Sequence, residues 1–243
     1  MAQAGRVGKR DWTRAQLIEL FGSVLLFSRL PESQLEAIAI SAERMVFRRG
    51  ALIVRQGTSA SDGLYVLAAG SVLVSREARS GERRALNVIE APGSFGELAL
   101  LDSRPRSASV EALEHAELFA LSRASFLGLL SHDPRLVDGL IRELGRMIRR
   151  LSDQVADEGL LDLPSRVAKT LVRLVEGQPK SHGSGDQPVV TLSQGKLADL
   201  AGGSRQSVNG ALSSFVTRGL IRIEARQIVV TDLPGLRARA GAG

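Results

Sequence analysis

The sequence predicts an α+β chain in three parts: a β-roll behind short N-terminal helices, one long helix, and a small C-terminal domain of helices closed by a β-hairpin. Three observations carry this reading. Between Met45 and Ser122 short apolar runs are cut at Gly50, Gly57, Gly63, Gly70, Gly81 and Gly93, close to the turn spacing of an antiparallel sandwich or barrel. From Asp133 to Val155, the residues Val137, Ile141, Leu144, Ile148, Leu151 and Val155 follow one another at gaps of 4, 3, 4, 3 and 4, the period of a helix paired with a helix. Charge divides unevenly: residues 1–164 hold 21 Lys+Arg against 21 Asp+Glu, whereas residues 165–243 hold 11 against 5. A basic surplus confined to one small domain is an electrostatic footprint of nucleic-acid binding. The parts fall at 1–132, 133–158, a hinge at 159–164, and 165–243.

Residues 1–10 are polar and glycine-rich and are expected to lack fixed structure. From Trp12 to Leu30 the residues Leu17, Ile18, Leu20, Phe21, Val24 and Leu25 recur at helical spacing, and Leu35, Ile38 and Ala39 continue it after Pro31. Ser33 with Glu36 fits a capping box. The runs MVF, ALIV, GLYVL, SVLV, ALNVI, LALL, SASV and ELFAL then supply the strands of the roll.

The stretch Gly93 to Val110, GSFGELALLDSRPRSASV, is unusual material for a plain core. Gly96-Glu97-Leu98-Ala99 can close a turn into one helical turn whose free N–H groups favour an anion. Arg106 and Ser107 add a guanidinium and a hydroxyl, the donor set that suits a phosphate monoanion. Glu97 can accept from a sugar hydroxyl, and can neutralise Arg106 when the site is empty, because an unpaired buried charge costs several kcal/mol.

G-E-L-A followed after a short loop by P-R-S-A resembles the phosphate-binding cassette of cyclic-nucleotide-binding domains. Together with the C-terminal part, the chain from about Leu26 to Asp232 resembles the cyclic-AMP receptor (CRP/FNR) family of bacterial transcription regulators. Phe47, Gly50, Ile53, Gln56-Gly57, Leu64-Tyr65, Gly70 and Val72 match the family's spacing. The resemblance implies that the roll is a double-stranded β-helix (jelly roll) binding a cyclic nucleotide through Gly96, Glu97, Leu98, Ala99, Arg106 and Ser107. Cyclic AMP is the ligand expected. Cyclic GMP stays open, because in some relatives a hydroxyl at the place of Ser107 contacts the guanine amino group.

In the family the long helix forms a parallel dimer and lays polar side chains over the base. Here the sequence departs from the pattern. Aligned without a gap from Asp162, the hydroxyl-bearing position falls on Leu151 beside Ser152; aligned on Arg149-Arg150-Leu151, it falls on Gln154. Arg150, Ser152 and Gln154 are the candidates for the base end. A second set, Leu136, Leu140 and Met147, lies on a neighbouring helix face and can cover the roll.

Asp162 and Pro164 start the next helix, with Val167, Ala168, Leu171, Val172 and Val175 inward, and Gly177 to Pro188 reads as an exposed loop. Val189 to Leu192 is a short strand. Ser193 caps a helix holding Leu197, Ala198 and Leu200; Ala201-Gly202-Gly203 turns; Ser204 caps a second helix with Val208, Ala211, Leu212 and Phe215 inward. This is the helix-turn-helix plan, and Ser-Arg-x-x-Val resembles the opening of the family's recognition helix. Arg205, Gln206, Ser207, Asn209 and Ser213 then face DNA, with Arg205 suited to guanine, Gln206 or Asn209 to adenine, and Ser204 and Ser207 to phosphate. Lys196 adds charge near the backbone. Leu220 to Thr231 alternates across a Glu-Ala-Arg-Gln turn as a wing, with Arg222 and Arg226 toward phosphate, which completes a winged helix-turn-helix; the last residues, RARAGAG, are expected to fray.

Other classes are disfavoured. With no cysteine, disulfides and thiolate metal sites are absent, and His115, His132 and His182 lack the spacing of a zinc or haem pair; no metal is expected. No phosphate loop of NTPases and no nucleophile elbow occurs, so no enzyme is expected. Nothing approaches a membrane span or a signal peptide, so a soluble cytoplasmic protein is expected. The expected partners are double-stranded DNA with two-fold related half-sites, a second copy of the chain, and RNA polymerase. The alternatives are a cyclic-nucleotide-binding subunit acting on a protein partner, or a DNA-binding regulator that answers to cyclic GMP or to no nucleotide.

Overall fold

The computed structural model describes residues 12–59, 63–81, 83–177, 187–224 and 227–241. The expectations for residues 1–10, for most of the loop after Gly177 with His182, and for Arg226 lie outside them. The chain forms two compact units, one of residues 1–81 and 87–150, the other of residues 82–86 and 151–243.

The first unit opens with α1 (Arg14–Ser23), which starts in a capping box not anticipated from the sequence: Gln16 N donates to Thr13 Oγ1 at 3.3 Å and Thr13 N to Gln16 Oε1 at 3.0 Å. The box expected at Ser33 and Glu36 does not form. Pro31, extended and with its φ fixed by the ring, takes the cap position of α2 (Glu32–Ser41), so Ser33 already lies inside the first turn. Strands β1 (Glu43–Phe47), β2 (Leu52–Val54), β3 (Leu64–Ala69), β4 (Ser71–Glu77), β5 (Arg83–Glu90) and β6 (Gly93–Phe95) lead to α3 (Glu97–Leu101). After β7 (Ser109–Ala112) and β8 (Ala116–Leu121) come α4 (Arg123–His132) and α5 (Pro134–Leu160), of which the residues from Leu151 on belong to the second unit.

The strands make two four-stranded sheets, ordered β1-β8-β3-β6 and β2-β7-β4-β5. Between them lies a core of Phe47, Val54, Leu67, Val72, Val110 and Leu118, while Phe21, Phe27, Ile38, Leu64, Phe119 and Phe126 gather in a second core that the helices share. Leu136 and Leu140 of α5 join that second core, as their pattern suggested, whereas Met147, the third of that set, is half-buried and is not part of it. Gly139 lets α5 come this close: a Cβ there would stand 2.2 Å from the Leu26 carbonyl oxygen.

The heptad positions of α5 behave differently. Leu144 is half-buried, but Ile141, Ile148 and Val155 remain 62%, 64% and 73% exposed. A single chain leaves this apolar seam in water, a cost that pairing with another helix removes.

In the second unit, α6 (Leu163–Glu176) is capped by Asp162, which accepts from Ser165 N at 2.8 Å, with Pro164 in its first turn. Strand β9 (Val189–Val190) precedes α7 (Gln194–Ala201) and α8 (Arg205–Thr217), and β10 (Ile221–Glu224) with β11 (Gln227–Val230) completes a sheet ordered β10-β11-β9. Val167, Leu171, Leu197, Val208, Leu212, Phe215 and Ile228 form its interior. For residues 237–241 the expected fraying is corrected: α9 (Leu233–Arg239) is a helix capped by Asp232 with Leu236 fully buried and Ala240 buried behind it, while Ala242 and Gly243 lie outside the described residues. Only Leu161 and Asp162 separate α5 from α6, a shorter junction than the six residues read as hinge.

Candidate functional site

In the first unit the cassette is assembled by one glycine and one arginine. Gly96 takes a left-handed φ of 98° at the cap of α3, turning the chain so that the first N–H groups of α3 are left without helical partners. A side chain there is strained by that φ, and its Cβ, 2.7 Å from Arg106 Nη1, would require the guanidinium to move. The backbone of Arg106 is fixed by the neighbouring turn, with Arg106 N donating to Thr58 O and Gly57 N to Arg106 O, each at 2.8 Å.

The Arg106 side chain is only 4% exposed. Its Nη1 donates to Gly96 O at 2.8 Å and its Nη2 to Gly63 O at 2.7 Å. Tyr65, stacked on Phe95 at 5.2 Å, lies 5.7 Å from the guanidinium carbon. Nε is buried and has no partner. The expectation that Glu97 neutralises Arg106 in the empty site is therefore corrected: carbonyl oxygens take the guanidinium, leaving its charge uncancelled at contact distance. A buried cation with a spare donor, facing a helix N-terminus, is built for an anion.

Glu97 is buried beside it, and burial raises its carboxyl above the ordinary range; its own backbone N–H opposes that shift, Glu143 adds to it, and Arg106 and Arg150 oppose it. Ala99 is buried, Leu98 half-buried and Ser107 exposed. The structure thus brings together Gly96, Glu97, Leu98, Ala99 and Arg106, with Ser107 next in chain and Arg150 near enough to act on Glu97. Tyr65, Gly63 and Glu143 were not anticipated. Glu143 stands one heptad before Arg150, and that spacing could have found it.

Of the other two helix candidates, Ser152 is exposed, and Gln154 gives its Nε2 to Leu86 O at 2.9 Å. Both belong to the second unit.

In the second unit, α7 and α8 are joined as the helix-turn-helix pattern requires. Gly202, in the left-handed region at φ 64°, ends α7, and Ser204 starts α8 by accepting from Ser207 N at 3.1 Å. The two serine hydroxyls lie 2.8 Å apart. Arg205, Gln206, Ser207 and Ser213 are exposed, while Asn209 is half-buried with an unpartnered Oδ1. Neither α7 nor α8 has an acidic residue in its first turn, so both N-termini keep their positive field. Lys196 is half-buried on α7, and on the wing Arg222 is paired with Glu224 at 3.0 Å. Among the described residues no cluster of acidic or histidine side chains could hold a metal, and no helix is long and apolar enough to cross a membrane.

Residues 44–133 match the family model of the cyclic nucleotide-binding domain, and residues 165–239 that of the Crp-like helix-turn-helix domain. Together these domains define a cyclic-nucleotide-binding, DNA-binding transcription regulator, not an enzyme. The chain belongs to the cyclic-AMP receptor (CRP/FNR) family. It is 30% identical over 207 residues to the cyclic AMP receptor protein of Thermus thermophilus, covering 85% of this chain and 92% of that one. It is 29% identical over 222 residues to a CRP-like cAMP-activated global transcriptional regulator of Mycobacterium tuberculosis, covering 91% and 99%. The crystal structure of a CRP-family transcriptional regulator, also from Thermus thermophilus, superposes with a TM-score of 0.69 at 27% identity, covering 82% of this chain and 99% of that one.

Proposed function

We propose that the chain is a homodimeric transcription regulator whose DNA binding is gated by a cyclic nucleotide, with cyclic AMP as the ligand. The observation that carries this reading is the buried Arg106, whose Nε has no partner and whose charge no contacting carboxylate cancels. The cyclic phosphate, a monoanion, accepts from Arg106 and from the N–H groups opening α3, with Ser107 alongside. Glu97 accepts from the ribose hydroxyl. Arg150, Ser152 and Gln154 are the candidates for the base.

The domains divide as 1–132 for the nucleotide, 133–158 for dimerisation, 159–164 for the hinge and 165–243 for DNA. The exposed seam of α5 pairs two copies, and two-fold related half-sites then meet the two α8 helices. Arg205 reads guanine, Gln206 or Asn209 reads adenine, Ser204 and Ser207 touch phosphate, Ser213 reaches DNA from the same face, and Lys196, Arg222 and Arg226 add charge along the backbone. The ligand shifts the balance between two states only by its difference in affinity for them. RNA polymerase is the further partner in the cytoplasm. The two relatives named above for cyclic AMP support that nucleotide over cyclic GMP.

Calorimetric titration of the whole chain with cyclic AMP and cyclic GMP tests the ligand. Saturable binding with cyclic AMP the tighter is expected; absence of binding by either removes the gating model. A gel shift at several salt concentrations tests the DNA arm, since phosphate contacts make affinity fall with salt.

A further inference from the structure

The short C-terminal helix ends on the junction between α5 and α6. Arg239, its last residue, donates from Nη2 to both carboxylate oxygens of Asp162, at 2.9 and 3.2 Å, and from Nη1 to the Ser165 hydroxyl. Asp162 is the cap of α6 and also accepts from Ser165 N at 2.8 Å. One guanidinium therefore grips the cap and the residue that the cap holds. The contact has a rigid base, because Leu236 and Ala240 are buried and Asp232 caps α9 through Gly235 N at 2.9 Å.

The next residue of α6 points to another part of the unit. Arg166 donates from Nη1 to Leu161 O at 2.9 Å, from Nε to Ala201 O at 2.9 Å and from Nη2 to Gly202 O at 3.1 Å. Gly202 is the left-handed residue that ends α7. The first turn of α6 is thus tied to the two-residue junction, to the turn before the recognition helix, and to the chain's last helix. At the other end of α6, Arg237 pairs with Glu176 at 2.8 Å, a contact that fastens the same helix without touching the junction.

We propose that Arg239 is a positioning residue for the response to ligand: by clamping Asp162 and Ser165 it keeps the first turn of α6 closed, so that a movement of α5 reaches the turn at Gly202 through Arg166 and is not absorbed by fraying of the cap. The bidentate geometry matters, since a planar fork fixes two partners where a point charge fixes one. The role of Arg239 in the response rests on the nucleotide-gated reading, while the clamp itself is independent of it.

Two measurements on the full chain separate the two. Amide hydrogen exchange without ligand reads the clamp: in Arg239→Gln, Ser165 and Arg166 should exchange at least ~tenfold faster, in Arg239→Lys less so, and in Glu176→Gln at the wild-type rate. DNA affinity, measured by anisotropy with and without saturating cyclic AMP, reads the response: the ratio of the two affinities should fall at least ~threefold in Arg239→Gln and hold in Glu176→Gln. Unchanged exchange in Arg239→Gln, or equal losses in both variants, overturns the clamp. Faster exchange with an unchanged ratio overturns its role in the response. A wild-type ratio of one with either nucleotide refutes the gated reading, and with it any role of Arg239 in a response, while the exchange rates still decide the clamp.

Discussion

Arg106 Nη1 donates to the carbonyl oxygen of Gly96 at 2.8 Å, so the residue that starts α3 also holds the cation beside it. The anion donors of α3 and the guanidinium are one preassembled unit, fixed before any ligand arrives. Truncation at Arg106 should therefore remove both a charged donor and the support of the turn. For Arg106→Ala we expect calorimetry to show nucleotide binding weakened by at least ~1.5–3 kcal/mol, the range for a hydrogen bond to a charged group. An unchanged affinity would remove the cassette assignment.

The seam on α5 leads to a second expectation. Ile148 is 64% exposed in the single chain, so Ile148→Glu costs the monomer little but places like charges in a paired interface. Sedimentation should show the variant as a monomer at concentrations where the wild type is a dimer, with the same far-UV circular dichroism. A variant that remains dimeric would move the interface elsewhere.

Acid stability should report on Asp133. Its carboxyl is held at about 2, chiefly by hydrogen bonding to the Arg135 side chain, against an unfolded value of 3.8. A lowered value means that the carboxylate's contribution is complete above the unfolded value and disappears as pH falls through the folded one. Asp133→Asn should accordingly unfold at a lower temperature at pH 7, and the gap to wild type should close between about pH 4 and pH 2. A gap independent of pH across that window would contradict the pairing of Asp133 with Arg135, whose Nη2 lies 2.9 Å from Asp133 Oδ2.

On the helix-turn-helix, Arg205 is exposed at the opening of α8, while the serine cap beneath it is formed independently of its side chain. Arg205→Ala should cost about 1–3 kcal/mol for the cognate site, relax the preference at one base pair, and leave most of the salt dependence of non-specific binding in place. Competition binding with a randomised half-site reads both quantities.

Much of this molecule is legible in the sequence because particular residues can do little else. Gly96 in front of Glu97 and Ser204 after two glycines each have one natural reading and stand where it puts them, and the six apolar positions of α5 do lie on one continuous helix. The departures have physical causes. Ser33 and Glu36 have the right spacing for a capping box, but Pro31 enters the helix first. Glu97 has the right charge for Arg106, but the guanidinium donates to Gly96 O and Gly63 O once the turn is closed, and the contact with Gly63, 43 residues away, leaves no local trace. The alanines and glycines of the tail suggest fraying, yet Asp232-Leu233-Pro234 repeats Asp162-Leu163-Pro164, the tripeptide that starts α6. The same helix-starting signal thus occurs twice, and the second copy is masked by the small residues that follow it.

The open seam of α5 also bears on dosage. Where paired chains are the species that grips two half-sites, and protein is scarcer than the dimer dissociation constant, the abundance of pairs rises with the square of the amount of chain made. A twofold change in synthesis then becomes a nearly fourfold change in promoter occupancy at low coverage, before any small molecule is bound. The rate at which the cell makes this protein is in that regime a second input, written into the helix by Ile141, Ile148 and Val155.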